Sequence, residues 1–371
     1  MRFVLVLTAL LGVVYAYLAS RLAGSPGAHL LLAAPFLLIW LVPVVYWVGG
    51  REKGTRADEA LHVASYVSMG WLSFAFVSCV LRDLALLAAV LLRLPAAFES
   101  ALVDDGPALV LGASVAALVI GMAVALRGPR VKRVDISVPG LAPGLDGLRI
   151  AQISDLHVGV TIGERYARGV TRMANELDAD LVVLTGDLVD GSVERLARKV
   201  APLAKLEPRG RVFFILGNHE YYSGAREWIA HFRAMGFDAL LNEYRFVTVR
   251  GARLLVGGVL DPAGGADAPQ PAAAAGTGEQ VDFRLLLAHN PKLAPLGAAA
   301  GFDLQLSGHT HAGQFFPWTL AVRLLHAPHA YGLSREGKMQ VYVSAGTGSW
   351  GPPVRFGSQT ELTLVRLVAA A

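Results

Sequence analysis

Four stretches in the first third of the chain, Phe3 to Ser20, Leu30 to Val48, Leu61 to Leu81 and Pro107 to Leu126, contain no Asp, Glu, Lys or Arg. Wound as helices, they are each long enough to cross roughly 30 Å of hydrocarbon, so the pattern predicts four transmembrane helices. The first begins after Arg2 and lacks a clear small-residue cleavage site, so it reads as a span and not as a cleaved signal peptide. Arg82-Asp83 ends the third stretch, and Leu84 to Leu92 is again apolar. An arginine inside the bilayer is costly, so the favoured reading has this helix emerge at Arg82, with 84–92 lying along the interface. The other reading is a longer, tilted helix with an internal ion pair.

From about Leu148 onward the pattern changes to short apolar runs that each end in polar groups. LRIAQISDLH ends at Asp155 and His157, LVVLTGD at Asp187, VFFILGNHE at Asn218 and His219, FRLLLAH at His289, and LQLSGHTH at His309 and His311. Continuous Val, Ile and Leu mark strands buried on both faces, and functional groups collect at the carboxyl ends of such strands. Asp155 and Asp187 are 32 residues apart and Asp187 and Asn218 are 31 apart, each the length of a strand, a helix and the next strand. The expected organisation is a membrane region over 1–130, a Pro- and Gly-punctuated connector over 131–147, and an α/β catalytic domain over 148–371 with a two-sheet core flanked by helices. Asp261 to Gln280, rich in Ala, Gly and Pro, reads as a disordered surface loop.

Composition agrees with this division. The chain is 54% hydrophobic with a mean hydropathy of +0.48, too apolar for an ordinary soluble enzyme of this length. The net charge is +4 and the isoelectric point near 9.2. Its basic residues are scattered, but Arg127, Arg130, Lys132 and Arg133 stand just after the last span, which favours anionic lipid over nucleic acid as partner. One side of the membrane receives Arg2, Arg51, Lys53, Arg56 and those four, eight basic residues; the other receives Arg21, Arg82 and Arg93. That asymmetry predicts a multi-pass inner (plasma) membrane protein with a cytoplasmic catalytic domain. The single cysteine, Cys79, falls within a span, so nothing signals an oxidising compartment.

Five strand ends that deliver carboxylates, imidazoles and an amide point to a dinuclear metal centre. Two divalent cations about 3.5–4 Å apart need an anionic bridge to offset their repulsion, and Asp187 is central in the series. Mixed imidazole and carboxylate donors suit Mn, Fe or Zn better than Ca or Mg. With no cysteine among the candidates, a structural thiolate zinc site is excluded.

Asp155-Leu-His157, Gly186-Asp187-Leu-Val-Asp190, Gly217-Asn218-His219-Glu220, His289 and Gly308-His309-Thr-His311 together resemble the motif set of the calcineurin-like metallophosphoesterases, from about Leu148 to about Phe356. AHNP, GHTHAGQ and VSAGTGSWGPPVRFG resemble a bacterial branch that includes membrane-associated phosphoesterases and UDP-diacylglucosamine pyrophosphatases. The resemblance implies a two-sheet αββα sandwich. It implies one metal on Asp155, His157 and His311, a second on Asn218, His289 and His309, and Asp187 bridging both. It also implies a non-ligand His219 that assists the leaving oxygen while metal-activated hydroxide attacks phosphorus. Phe316 and Trp318, shortly after His311, are candidates for holding an acyl chain, and Arg355 for gripping a second phosphate. Phosphoester or pyrophosphate hydrolysis on lipid-linked or nucleotide substrates fits every feature. Its rivals are a membrane sensor or transport protein with a phosphoesterase appendage, and a nuclease, which would want a basic groove with stacking aromatics.

Overall fold

The structure, a computed structural model, describes residues 2–49, 55–276, 278 and 280–370. Arg51 and Lys53, counted toward the orientation, lie outside the described residues. The chain divides into a unit of Met1–Val124 with Gly351–Phe356, and a second of Ala125–Trp350 with Gly357–Ala371.

The first unit is helical: α1 (Arg2–Leu22), α2 (Pro26–Val42), α3 (Arg56–Leu91), α4 (Ala96–Asp104) and α5 (Gly106–Leu126). All four apolar stretches are helices long and apolar enough to cross a membrane: α1, α2 with the wider turns of Pro43–Val48, α3 and α5. Thr55 fixes the start of α3 through a capping box, its hydroxyl accepting from the Asp58 amide while Asp58 accepts from the Thr55 amide. The favoured reading of the third span is corrected, because α3 is one unbroken helix of 36 residues that passes straight through Arg82-Asp83. Its length of about 54 Å exceeds the bilayer core. The acid is answered locally. Asp83 Oδ2 accepts from Tyr17 OH at 2.9 Å and from Arg21 Nε at 3.0 Å, both near the end of α1, and Arg82 Nε stands 3.6 Å from Asp83 Oδ1.

The second unit holds twelve strands among the described residues: β1 (Arg130–Val138), β2 (Arg149–Ile153), β3 (Leu181–Leu184), β4 (Val212–Phe214), β5 (Asp238–Ala239), β6 (Glu243–Val249), β7 (Ala252–Gly258), β8 (Phe283–Leu287), β9 (Leu304–Ser307), β10 (Gly332–Glu336), β11 (Met339–Val343) and β12 (Glu361–Ala369). They form two mixed sheets of six, in the orders β1-β12-β2-β3-β4-β5 and β10-β11-β9-β8-β7-β6. Side chains alternate across each strand and so feed two different layers. On β3, Leu181 and Val183 enter the core between the sheets with Phe213, Leu254, Leu285 and Leu304. Val182 and Leu184 face outward to Val170, Trp228 and Phe232 of the covering helices. The outer face of the other sheet is closed over Leu255, Leu286 and Val341 by Ala274, Ala294 and neighbours. Helix, sheet, sheet, helix is the expected αββα layering, with the parallel β2-β3-β4 and β7-β8-β9 runs at its centre.

Two expectations about loops are corrected. Residues 131–138 of the supposed connector belong to β1, paired in parallel with β12 from Arg130↔Glu361 to Val138↔Ala369, so only residues 127–129 separate α5 from the sheet. The segment Asp261 to Gln280 lies at the surface as expected, most of its described residues being exposed, but it is not without structure: it contains a helical turn at Pro271–Ala274, and Ala274 is fully buried. Within it, Thr277 and Glu279 lie outside the described residues.

Candidate metal centre

The loops after β2, β3, β4, β8 and β9 bring the anticipated residues together. Backbone bonds lace the first two: the Asp155 amide donates to Gly186 O, and the His157 amide to Asp187 O, both at 3.0 Å. The third and fifth are tied to ligand carboxylates, with the His219 amide donating to Asp187 Oδ1 and the His309 amide to Asp155 Oδ1, each at 2.8 Å. These turns are strained. Asp155, His157, Asp187, His309 and His311 all have φ between 51 and 73°, a left-handed conformation uncommon for such side chains and held only where surroundings over-determine it.

Three overlapping groups could hold a metal ion: Asp155, His157 and His311; His157, Asp187 and His219; Asp187, His289 and His309. Within each, the ligand atoms lie within 4.8 Å of one another. His157 Nε2 and His311 Nε2 stand 3.0 Å apart, and His311 Nε2 is 3.4 Å from Asp155 Oδ1. On the other side His289 Nε2 is 3.1 Å from Asp187 Oδ2, and His309 Nδ1 is 3.0 Å from Asn218 Oδ1. His289 Nδ1 donates to Thr185 O at 2.8 Å, which fixes the ring so that Nε2 faces inward. Asp187 is shared by two of the groups.

The donors fit cations better than they fit one another. Asp155 Oδ2 is buried with no hydrogen-bond partner, and two imidazole nitrogens face each other at 3.0 Å. His289 Nε2 also makes no well-directed hydrogen bond, despite its proximity to Asp187. Burial disfavours a charged His157, but Asp190, Asp187 and Asp155 outweigh it and push the imidazole up to about 9. His289 is likewise raised well above its ordinary value against its burial, chiefly by Asp187. Burial raises Asp155, helped by the nearby Asp187 charge, while His289 and His157 hold Asp187 far below the usual carboxylate range in spite of burial. His309 is driven down to about 3 by burial and then by His289. A cluster that gathers protons on two buried histidines is one whose carboxylates call for positive charge, the role a cation fills.

Two residues that carry the site were quoted in the motifs without a role. Asp190 Oδ1 pairs with His157 Nδ1 at 2.9 Å and with His219 Nδ1 at 2.7 Å. Glu220, fully buried, accepts from the amides of Leu188 at 2.7 Å, Asp187 at 2.9 Å and Gly217 at 2.7 Å, joining the loops after β3 and β4. Burial, then the charge on Asp187, pushes its carboxyl up to about 7. A carboxylate at the third position of the helix Asn218–Ser223 is the capping signal that could have revealed it. Two exposed aromatics, Tyr222 and Trp350, set their rings edge-on to His219 at 5.5 and 5.9 Å. Gln314 holds Trp350 in place with a reciprocal pair of hydrogen bonds to its backbone at 2.9 Å.

The remaining candidates separate. Phe316 is half-buried, and Trp318 is 53% exposed. Arg355 belongs to the helical unit, where its amide donates to Gly121 O of α5 at 2.9 Å and Phe356 meets Phe74 of α3 edge-on. Arg355 is 1% exposed.

Residues 148–313 match the family model described as calcineurin-like phosphoesterase. A Danio rerio protein named "Transmembrane protein with metallophosphoesterase domain" is 37% identical over 268 residues, 68% of this chain and 60% of its own length. An uncharacterized metallophosphoesterase of Campylobacter jejuni is 34% identical over 248 residues, 66% of this chain and 64% of its own length. One of Aquifex aeolicus is 32% identical over 248 residues, covering 64% of this chain and 91% of its own length. The chain belongs to the calcineurin-like phosphoesterase family. It spans 60% and 63% of the Danio rerio and Bos taurus relatives it matches.

Proposed function

We propose that this is a membrane-anchored hydrolase that uses two divalent cations to cleave phosphoester or pyrophosphate bonds, with its catalytic domain on the cytoplasmic side of the inner (plasma) membrane. The observation that carries the proposal is Asp187, whose carboxylate takes part in two metal-competent groups at once. Asp155, His157 and His311 would hold one cation, Asn218, His289 and His309 the other, and Asp187 would bridge them. Bound there, the pair would lower the pKa of a shared water and polarise the phosphoryl oxygens. The mixture of imidazole and carboxylate suits Mn, Fe or Zn.

The chain's own residues do the rest. Asp190 engages His219 Nδ1, which fixes the ring and leaves Nε2 as the atom that can pass a proton to the departing oxygen. The resemblance to the family assigns His219 to the leaving group, although its position would also admit it as a ligand. Glu220 holds the Asp187 and Asn218 loops at fixed separation, so the donors are preorganised. Membrane anchoring and the exposed Trp318 support substrates that are themselves lipid-linked, with nucleotide phosphoesters the other class to be tested.

Purified full-length protein with Mn²⁺, assayed against phosphomonoesters, phosphodiesters and UDP-linked lipids, tests this reading. It predicts hydrolysis of at least one class, abolished by a chelator and restored by metal. Metal-loaded, folded protein that is inert on all three would overturn it.

A further inference from the structure

The helix Trp318–Leu325 contains no buried residue, although six of its eight positions are apolar. Trp318, Leu320, Leu324 and Leu325 are 53, 51, 82 and 70% exposed, and Arg323 is exposed among them. Exposed single leucines are ordinary, but a whole helix turned outward in this way needs a partner. We infer that this helix lies in the interface of the same bilayer that the chain spans, its tryptophan and leucines in the acyl boundary and its arginine at the headgroups.

Three observations favour lipid over other occupants. The first is the tether. Only residues 127–129 separate the end of α5 from β1, about 10 Å of extended chain, so the second unit begins close to where the last span ends and weak interfacial contacts act at high effective concentration. The second is charge. Arg323, together with Arg127, Arg130 and Arg133 at the junction, complements anionic headgroups, whereas an acidic or neutral rim would not. The third is size. A stable contact between protein copies needs roughly 800 Å² from each partner, more than one eight-residue helix offers, while an interfacial helix of tryptophan, leucine and arginine needs no matching surface.

The inference concerns docking alone and stands whether or not the hydrolysis proposed above is correct. The test uses the full chain with Cys79→Ser, so that a single cysteine introduced as Leu324→Cys carries an environment-sensitive fluorophore. The protein is placed in nanodiscs of phosphatidylcholine and phosphatidylglycerol, one copy per disc. A second variant, Arg172→Cys on the helix Glu164–Glu176, whose side chain is 77% exposed, gives the reference for a probe in water. Because Leu324 and Arg172 are both exposed, neither label disturbs packing, and an unchanged melting temperature confirms it. The expected result is blue-shifted emission at 324 and quenching by acyl-chain doxyl lipid at least about threefold stronger than at 172. Equal, water-like emission and quenching at both positions would overturn the inference. So would shielding at 324 that appears only in discs holding two copies, which would show that a second chain covers the helix.

Discussion

Asp190 serves two histidines with one oxygen, His157 proposed for metal binding and His219 proposed for proton transfer. His219→Ala removes only the proton donor, so turnover should fall by about 10²- to 10⁴-fold while metal content stays near wild type. The loss should be smallest for a nitrophenyl ester, whose leaving group needs little protonation; equal losses on good and poor leaving groups, read from steady-state rates, would remove the acid role. A second prediction follows from the raised His157 and His289. Both imidazoles bind protons more tightly than a free histidine, and a cation must take the same lone pairs, so metal uptake at pH 7 should release protons and affinity should fall as acid is added. Titration calorimetry in two buffers of different ionisation enthalpy measures the release, and identical heats would count against it. Every candidate ligand was legible in the sequence, because each stands shortly after an apolar run. Asp190 and Glu220 were not assigned roles, because they act on backbone amides and on other side chains, a role that leaves no periodicity. The left-handed φ of five ligand residues left no trace in the sequence either.

At the scale of elements, the loops after the strands are pressed so closely together that a methyl group decides occupancy. A Cβ at Gly308 would collide with the Asp155 carboxylate and the Ser154 hydroxyl, whereas one at Gly169, within the helix Glu164–Glu176, would meet nothing within 4 Å. Gly308→Ala should therefore displace Asp155 and lower both metal content and activity, at a stability cost of about 1–3 kcal/mol. Gly169→Ala should keep full activity and gain about 0.5–1 kcal/mol, seen as a higher melting temperature. The reverse ranking would mean that the loops have slack. The central strands and the four long helices were legible as unbroken apolar runs. β1 reads as a connector because four of the nine residues of RVKRVDISV are charged and Pro and Gly border it, whereas an edge strand tolerates such charge on its exposed positions. The continuity of α3 was missed because Arg82-Asp83 reads as a helix exit, while Arg21 and Tyr17, far away in sequence, neutralise that acid.

In the whole molecule the chain passes from α5 to β1 within residues 127–129, so the side of the membrane on which the last span ends fixes the side on which the αββα domain begins. The excess of basic residues on one side predicts that a reporter fused after the last strand reads as cytoplasmic, and that a cysteine placed at the exposed Arg172 escapes impermeant thiol reagents in intact cells. Labelling from outside would reverse the topology. The dinuclear reading depends on Asp187 holding two cations that would otherwise repel each other, and elemental analysis of the purified full chain addresses it without an assay. Wild type should carry two metal equivalents per chain and Asp187→Asn neither, with the melting curve showing that the variant is folded. Two equivalents retained by folded Asp187→Asn would show that the carboxylate is not the bridge.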